Sequence, residues 1–171
     1  MFFLQMSGFP GSGKSTLAQE IGRRTGAVVI DHDVIKSGLL KDYEGDPKKS
    51  GPIAYNIDWS LIEFQLSQGH AVIFDSPCLY QEMVGRGIEL TEKFHIKYKY
   101  VECYLDDFIE VNRRLKHRVK MPSQIAQAAS IESFQYTIKN SQRPLKHDYF
   151  VVDTKQSISH YIDDVMKYIN N

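Results

Sequence analysis

The stretch GFPGSGKST, residues 8–16, stands near the start of a chain of 171 residues. Three glycines in nine residues are costly to fix and give nothing to pack. Such a run is useful where bare backbone must come close to another object. Residues 2–6 before it are apolar and read as a strand. Residues 13–25 after it read as an amphipathic helix closed by Gly26. The spacing is G-x-x-x-x-G-K-[ST], in which backbone N–H groups curl around a phosphate at the positive end of a helix. Gly8, Pro10, Gly11, Ser12, Gly13, Lys14, Ser15 and Thr16 are therefore the expected nucleotide-binding residues. Lys14 is expected to reach the β- and γ-phosphates, and the Ser15 hydroxyl a magnesium ion.

The whole chain sets bounds on this reading. Lys plus Arg and Asp plus Glu both count 21, so the formal net charge is zero, which argues against a general coat for polyanions. With 42% hydrophobic and 25% charged residues the composition is that of a globular protein, and residues 1–171 are expected to form one domain. Cys78 and Cys103 have neither zinc-type spacing nor a disulfide framework. The opening MFFLQM lacks the basic start and long apolar run of a secretory leader, and no run approaches the ~20 apolar residues of a membrane span. A reduced, cytoplasmic location without a membrane partner is the expectation; the oligomeric state is left open.

Further along, short β-rich runs alternate with helical patterns. Strands are expected at 27–30, 71–74, 96–105 and 149–152. Helices are expected at 33–40, 53–68, 81–95, 107–117, 130–139 and 158–169. Residues 41–52 are polar and rich in breakers and read as a loop. The 53–68 helix carries two apolar stripes, Ile53, Ile57, Leu61, Phe64 and Tyr55, Trp59, Ile62, Leu66, and is expected to be well buried. Repeated strand–helix units predict an α/β fold with a parallel sheet covered by helices on both faces. Ligands of such sheets bind beyond the carboxyl ends of the strands.

Residues at those ends suggest where the γ-phosphate goes. AVIFDSP places Asp75 after the third strand, as a carboxylate that could assist magnesium. The residue after it is Ser76, where motor-type ATPases carry a water-activating glutamate. The Asn-Lys-x-Asp motif of guanine-specific switches is absent from the sequence. Both features favour transfer to an acceptor over hydrolysis. VVIDHDVIK puts Asp31 and Asp33 past the second strand. Asp33 is the candidate general base for an acceptor hydroxyl, with a plain helix N-cap as the competing reading. Asp31 could assist magnesium, and Lys36, one turn on, could bind the acceptor. NRRLKHRVKMP crowds five cations into eight residues and reads as a basic lid over about 112–129. In it Arg114 and Arg118 are candidates for stabilising transferring phosphoryl oxygens. Trp59 reads as core, Cys78 as a passive thiol near the acceptor pocket, and His32 as structural or solvent-facing.

With these parts in place the chain resembles the small P-loop kinases related to polynucleotide 5′-kinases, chloramphenicol phosphotransferase and zeta-toxin-type kinases, a group that includes AAA-family ATP-binding proteins. The residues carrying the resemblance are GFPGSGKST, DHDVIK, VIFDSP, RRLKHR followed by MP, and RPLKHDYFVVDT. The resemblance implies a P-loop NTPase fold with five parallel strands, ATP with Mg²⁺ as cofactors, and Asp33 as base. It also implies that Arg143 and the segment 152–154 lie near the nucleotide base or ribose. Lys36 stands where the polynucleotide kinases usually carry arginine, which disfavours long nucleic acid as partner. The expected activity is ATP-dependent phosphoryl transfer to a hydroxyl of a small-molecule or nucleoside-like acceptor. A nucleotide-dependent switch acting on a protein and a polynucleotide 5′-hydroxyl kinase are the alternatives.

Overall fold

A computed structural model describes residues 1–46 and 48–171. Five strands, β1 (Phe2–Ser7), β2 (Val28–Asp31), β3 (Val72–Asp75), β4 (Lys97–Tyr104) and β5 (Phe150–Asp153), pair in parallel in the order β2-β3-β1-β4-β5. β1 lies in the middle of the sheet between β3 and β4; the chain runs from it to β2 and back to β3 on one side, then crosses to β4 and β5 on the other. The crevice at this switch point opens at the carboxyl end of β1, where the glycine-rich loop begins. Register sets the carboxylates: Asp31 pairs directly with Asp75 across β2 and β3, and both lie at that same edge.

Two layers of helix cover the sheet. On one face α1 (Lys14–Thr25) and α7 (Ile162–Asn170) bury Leu17, Ile21, Val165 and Ile169 against Leu4, Met6, Ile73 and Val101. On the other, α3 (Pro47–Ser67) and α4 (Gln81–Phe94) bury Trp59, Ile62, Leu66 and Val84 against Phe3, Val72, Phe74 and Tyr100. Alternate strand residues thus serve opposite faces, as a two-residue period requires. Between β2 and α3 runs α2 (His32–Asp42). Two further helices, α5 (Phe108–His117) and α6 (Ile131–Lys139), close a small core of Leu105, Val111, Leu115 and Phe134 against Phe9 of the loop.

Three sequence expectations are corrected here. The stretch 41–52, of which Pro47 lies outside the described residues, is not all loop: α2 runs on to Asp42, and α3 starts some six residues before 53. Its start is fixed by Asp46, whose carboxylate accepts from the Lys48 N–H, and the helix continues through Pro52. Only one stripe of α3 is buried. Ile57, Leu61 and Phe64 are 39, 38 and 56% exposed, because the helix meets the sheet with its Trp59–Ile62–Leu66 side alone. Finally, the 158–169 helix is broken: a 3-10 turn (Ile158–His160) precedes α7, and Ser157 bonds the side chains of Ser159 and His160.

Gly85 and Gly87 sit two apart on α4 yet meet opposite surroundings. A Cβ at Gly87 would stand 2.6 Å from Gln5 Oε1 and 3.0 Å from the Phe3 ring; nothing lies within 4 Å of one at Gly85. Gln5 cannot easily yield, since Tyr98 donates to its Oε1 and its Nε2 donates to Met83 O. Gly87→Ala is expected to cost about 1–3 kcal/mol by overpacking. Gly85→Ala is expected to stabilise by roughly 0.5–1 kcal/mol. Urea titration of the two variants checks the opposite signs.

Candidate functional site

The loop after β1 is built around its glycines. Gly8, Gly11 and Gly13 have φ of 131, 87 and 94°, values that favour glycine. At Gly8 there is also no room: a Cβ would lie 2.4 Å from the Cys103 carbonyl oxygen of β4. Lys14, the first residue of α1, folds back so that Nζ donates to Gly8 O (2.9 Å) and Phe9 O (3.2 Å). Burial pulls its ammonium below the ordinary lysine value, and the nearby Asp75 opposes that pull.

Asp75 is the counterpart. It is 4% exposed. Burial pushes its carboxyl up, while Lys14 and a hydrogen bond from Ser15 pull it down. Its Oδ2 is buried with no partner. An orphaned carboxylate oxygen beside the Ser15 hydroxyl suits Mg²⁺, which binds through one or two carboxylates or hydroxyls and completes its shell with phosphate oxygens and water. The residues present fit that ion.

All of this opens into one cavity of about 1040 Å³. Pro10, Gly11, Gly13, Lys14, Ser15 and Thr16 line it from the loop, and Asp31, Asp33 and Lys36 line it from the end of β2 and the start of α2. Asp31, not Asp33, caps α2: its carboxylate accepts from the N–H groups of Asp33 (2.8 Å) and Val34 (3.3 Å). The Asp33 side chain is thereby free for other partners, and both are from the lid. Ser123 Oγ donates to Oδ1 (2.8 Å) and Gln124 Nε2 to Oδ2 (3.0 Å).

The lid begins on α5, and its far end is tied back there by Ala128 N–H donating to Asn112 Oδ1 (2.9 Å). Arg114 lies over the loop, with Nη1 3.9 Å from where a Gly13 Cβ would be. It is fixed by Glu110 Oε1 and the Thr154 carbonyl, each 2.7 Å away. Arg118 donates from Nη2 to Ile125 O (2.8 Å), while its buried Nε has no partner. Burial lowers its pKa, against the attraction of Asp33. Both arginines line the cavity. The other lid cations turn away: Arg113 pairs with Glu110 at the surface, and Lys116 and Lys120 are exposed.

Arg143 is not brought to the cavity. Its Nε donates to Glu102 Oε2 (2.6 Å) and its guanidinium covers the Tyr149 ring. Glu102 is 3% exposed and needs that partner. From the same tail only Thr154, past β5, lines the cavity, joined by Gln156, Ile158 and Tyr161. Thr154 belongs to the segment 152–154 that the resemblance singles out, whereas Ser123, Gln124, Gln156, Ile158 and Tyr161 carry no motif and are not singled out as site residues in the sequence. Cys78 is buried, with Sγ accepting from Gln5 Nε2 (3.1 Å). It lines a separate, smaller cavity.

Two carboxylates side by side at a sheet edge should register in stability. Asp31 is pushed up to about 6, by burial first and by Asp75 second. A carboxyl whose folded value lies above its unfolded one disfavours folding once ionised; the penalty is absent below about pH 4 and complete above about pH 6. Asn caps as well as Asp. Without magnesium, Asp31→Asn is therefore expected to stabilise at pH 8. Discounted for the water that reaches this site, the gain is about 1 kcal/mol, or ~2–4 °C in Tm. It should vanish near pH 4. Melting curves in EDTA at the two pH values test this.

In its fold the chain is similar to solved P-loop structures at low identity. A candidate kinase from Chloroflexus aurantiacus superposes with a TM-score of 0.77, 15% identity and 97% of each chain covered. A sugar kinase from Janibacter sp. gives 0.67 and 15%, over 99% of this chain and 94% of that one. The Mycobacterium tuberculosis APS kinase CysC, solved with AMPPNP and APS, gives 0.68 and 18%, over 99% and 97%. No curated protein matches in sequence. Among the described residues no helix is long and apolar enough to cross a membrane. The family model for the AAA domain matches residues 4–140. With the strand order, the loop and the paired carboxylates already in place, that match covers most of the chain, which belongs to the AAA domain family.

Proposed function

We propose that the protein is a kinase that transfers the γ-phosphate of ATP to a hydroxyl of a small-molecule or nucleoside-like acceptor. The observation that carries this reading is the position of Asp33. Its carboxylate faces the same cavity as Lys14 and the phosphate loop, and it is not consumed by capping the helix it begins. The absence of a carboxylate after Asp75 points the same way: the next residue is Ser76, a buried serine.

The chemistry assigned to each group follows from its surroundings. Loop N–H groups and Lys14 hold the β- and γ-phosphates. Ser15 and Asp75 would hold a magnesium ion, which would supply positive charge to the phosphate oxygens. The acceptor oxygen attacks the γ-phosphorus as the bond to the β,γ-bridging oxygen breaks, and ADP departs with that electron pair. The hydroxyl proton goes to Asp33. A carboxylate has about four lone-pair sites, so the bonds from Ser123 and Gln124 leave one on each oxygen for the acceptor. Those bonds also fix the direction in which the base points. Arg118, with an unpaired buried Nε, and Arg114, above the loop, stabilise the charge on the transferring group. Lid residues that bond the base complete the site only when the lid is shut, which excludes water.

A phosphoryl-transfer screen against sugars, nucleosides, hydroxylated antibiotics and oligonucleotide 5′ ends is the direct test. Magnesium ATP should raise the melting temperature of the wild type and far less that of Lys14→Ala; equal protection of both would remove the loop from the mechanism. On an acceptor found by the screen, Asp33→Asn should lose ~10²–10⁴-fold in turnover with nucleotide affinity little changed. Asp31 retains the helix cap in that variant, so near-normal turnover would refute the base role outright. Arg118→Ala should lower kcat more than it weakens ATP binding, and the reverse pattern would make it a ground-state phosphate ligand.

A further inference from the structure

The acceptor side of the cavity holds a polar cluster that phosphoryl transfer leaves unused. His32 opens α2 and stacks on Tyr55 of α3, with ring centroids 3.9 Å apart and planes 15° from parallel. Its Nδ1 lies 2.6 Å from Asp58 Oδ2. Asp58 is fully buried, and its other oxygen has no partner. An ionised carboxylate oxygen only accepts, so Nδ1 is the donor in this contact, and a neutral ring then presents Nε2 as an acceptor. His32 and Tyr55 both line the cavity. Neither Nε2 nor the Tyr55 hydroxyl has a hydrogen-bond partner among the described residues.

We propose that His32, oriented by Asp58, is a specificity residue for the acceptor: Nε2 accepts a hydrogen bond from a neutral hydroxyl or an amine, and the site takes uncharged or amine-bearing polyhydroxyl compounds. This rests on the kinase reading and adds the substrate class to it. The charges nearby agree. Asp31, Asp33 and Asp75 line the cavity; of the cations that line it with them, Lys14, Arg114 and Arg118 are assigned above to the phosphates, which leaves Lys36, its ammonium 3.9 Å from where a Gly51 Cβ would be, beside the acceptor. A substrate with an extra phosphate, sulfate or carboxylate would bring an anion against a lone pair backed by a buried carboxylate, a mismatch that discriminates by repulsion. An amine or hydroxyl would satisfy it.

Asp58→Asn and His32→Asn separate this role from that of a strut between α2 and α3. In Asp58→Asn the amide can donate to Nδ1, which moves the ring proton to Nε2 and reverses its polarity. In His32→Asn the side-chain amide can still donate to Asp58, while the Nε2 acceptor is gone. Both variants are assayed for transfer from magnesium ATP to D-glucose, D-glucosamine and adenosine, and to the anionic D-gluconate and glucose 6-phosphate. The imidazole nitrogens of the wild type are read by ¹⁵N NMR at pH 8. The expected result is an Nδ1–H ring and transfer to at least one neutral or amine-bearing compound. For that compound, KM should rise about tenfold or more in either folded variant, with kcat within about threefold. An Nε2–H or doubly protonated ring, transfer confined to the anionic compounds, or an unchanged KM in a folded variant each overturns the proposal. Transfer to none of the five counts against the kinase reading instead, and the nitrogen spectrum alone then decides the polarity of His32.

Discussion

A buried carboxylate facing a buried ammonium governs this molecule. Asp75 and Lys14 are 4 and 8% exposed, and burial disfavours the charged form of each. Neither is fully paired by protein. Lys14 is held by two carbonyls, and Asp75 keeps an oxygen with no partner. A desolvated charge left half-satisfied is costly, so the arrangement makes sense only if something polar and charged completes it. A triphosphate with magnesium is of the right sign at both ends. The same logic extends outward to Asp31, pushed up by burial and then by its strand neighbour, and to Arg118, which buries a donor it cannot use within the protein.

The lid is tied to that imbalance. Ser123 also bonds Ser37 on α2 (2.9 Å), so the lid tip grips both the Asp33 carboxylate and the helix that carries it. Its other end is anchored on α5 through Asn112. On the proposed reading, closure of the lid and alignment of Asp33 are one event. Opening the lid would break the Ser123 and Gln124 bonds to Asp33 and free its carboxylate to swing. A kinase of the proposed kind would gain from this coupling, since a misaligned base would accompany an open, wet site.

The parts legible in the sequence are those set by local chemistry. Glycine spacing between a strand and a helix locates the loop, and strand–helix alternation gives the five parallel strands. Asp31, Asp33 and Asp75 stand out because strand ends in such sheets converge on one crevice. Where reading failed, long-range contact decided. Arg143 carries no sign in the sequence that Glu102, 41 residues away, needs a partner. The exposed side of α3 is as apolar as its buried side, so periodicity could not choose between them. Asp46 caps α3, but the glycine, proline and lysine residues around it read as a loop. Ser123 and Gln124 acquire meaning only once the lid folds back over α2.

His32 shows how far a local reading can reach. In sequence it is a histidine between two aspartates, with nothing to indicate a third carboxylate. Helix α3 brings Asp58 to its Nδ1 and Tyr55 to its ring face, one turn apart on the same helix. The flanking aspartates, by contrast, do not touch it: Asp31 caps the helix and Asp33 turns to the lid. Three consecutive residues thus point to three different tasks, because a chain leaving a strand and entering a helix rotates successive side chains by roughly 100°. One of the three is directed at the fold, one at the lid and one at the cavity wall. The turn from β2 into α2 is what allows so short a segment to serve all three.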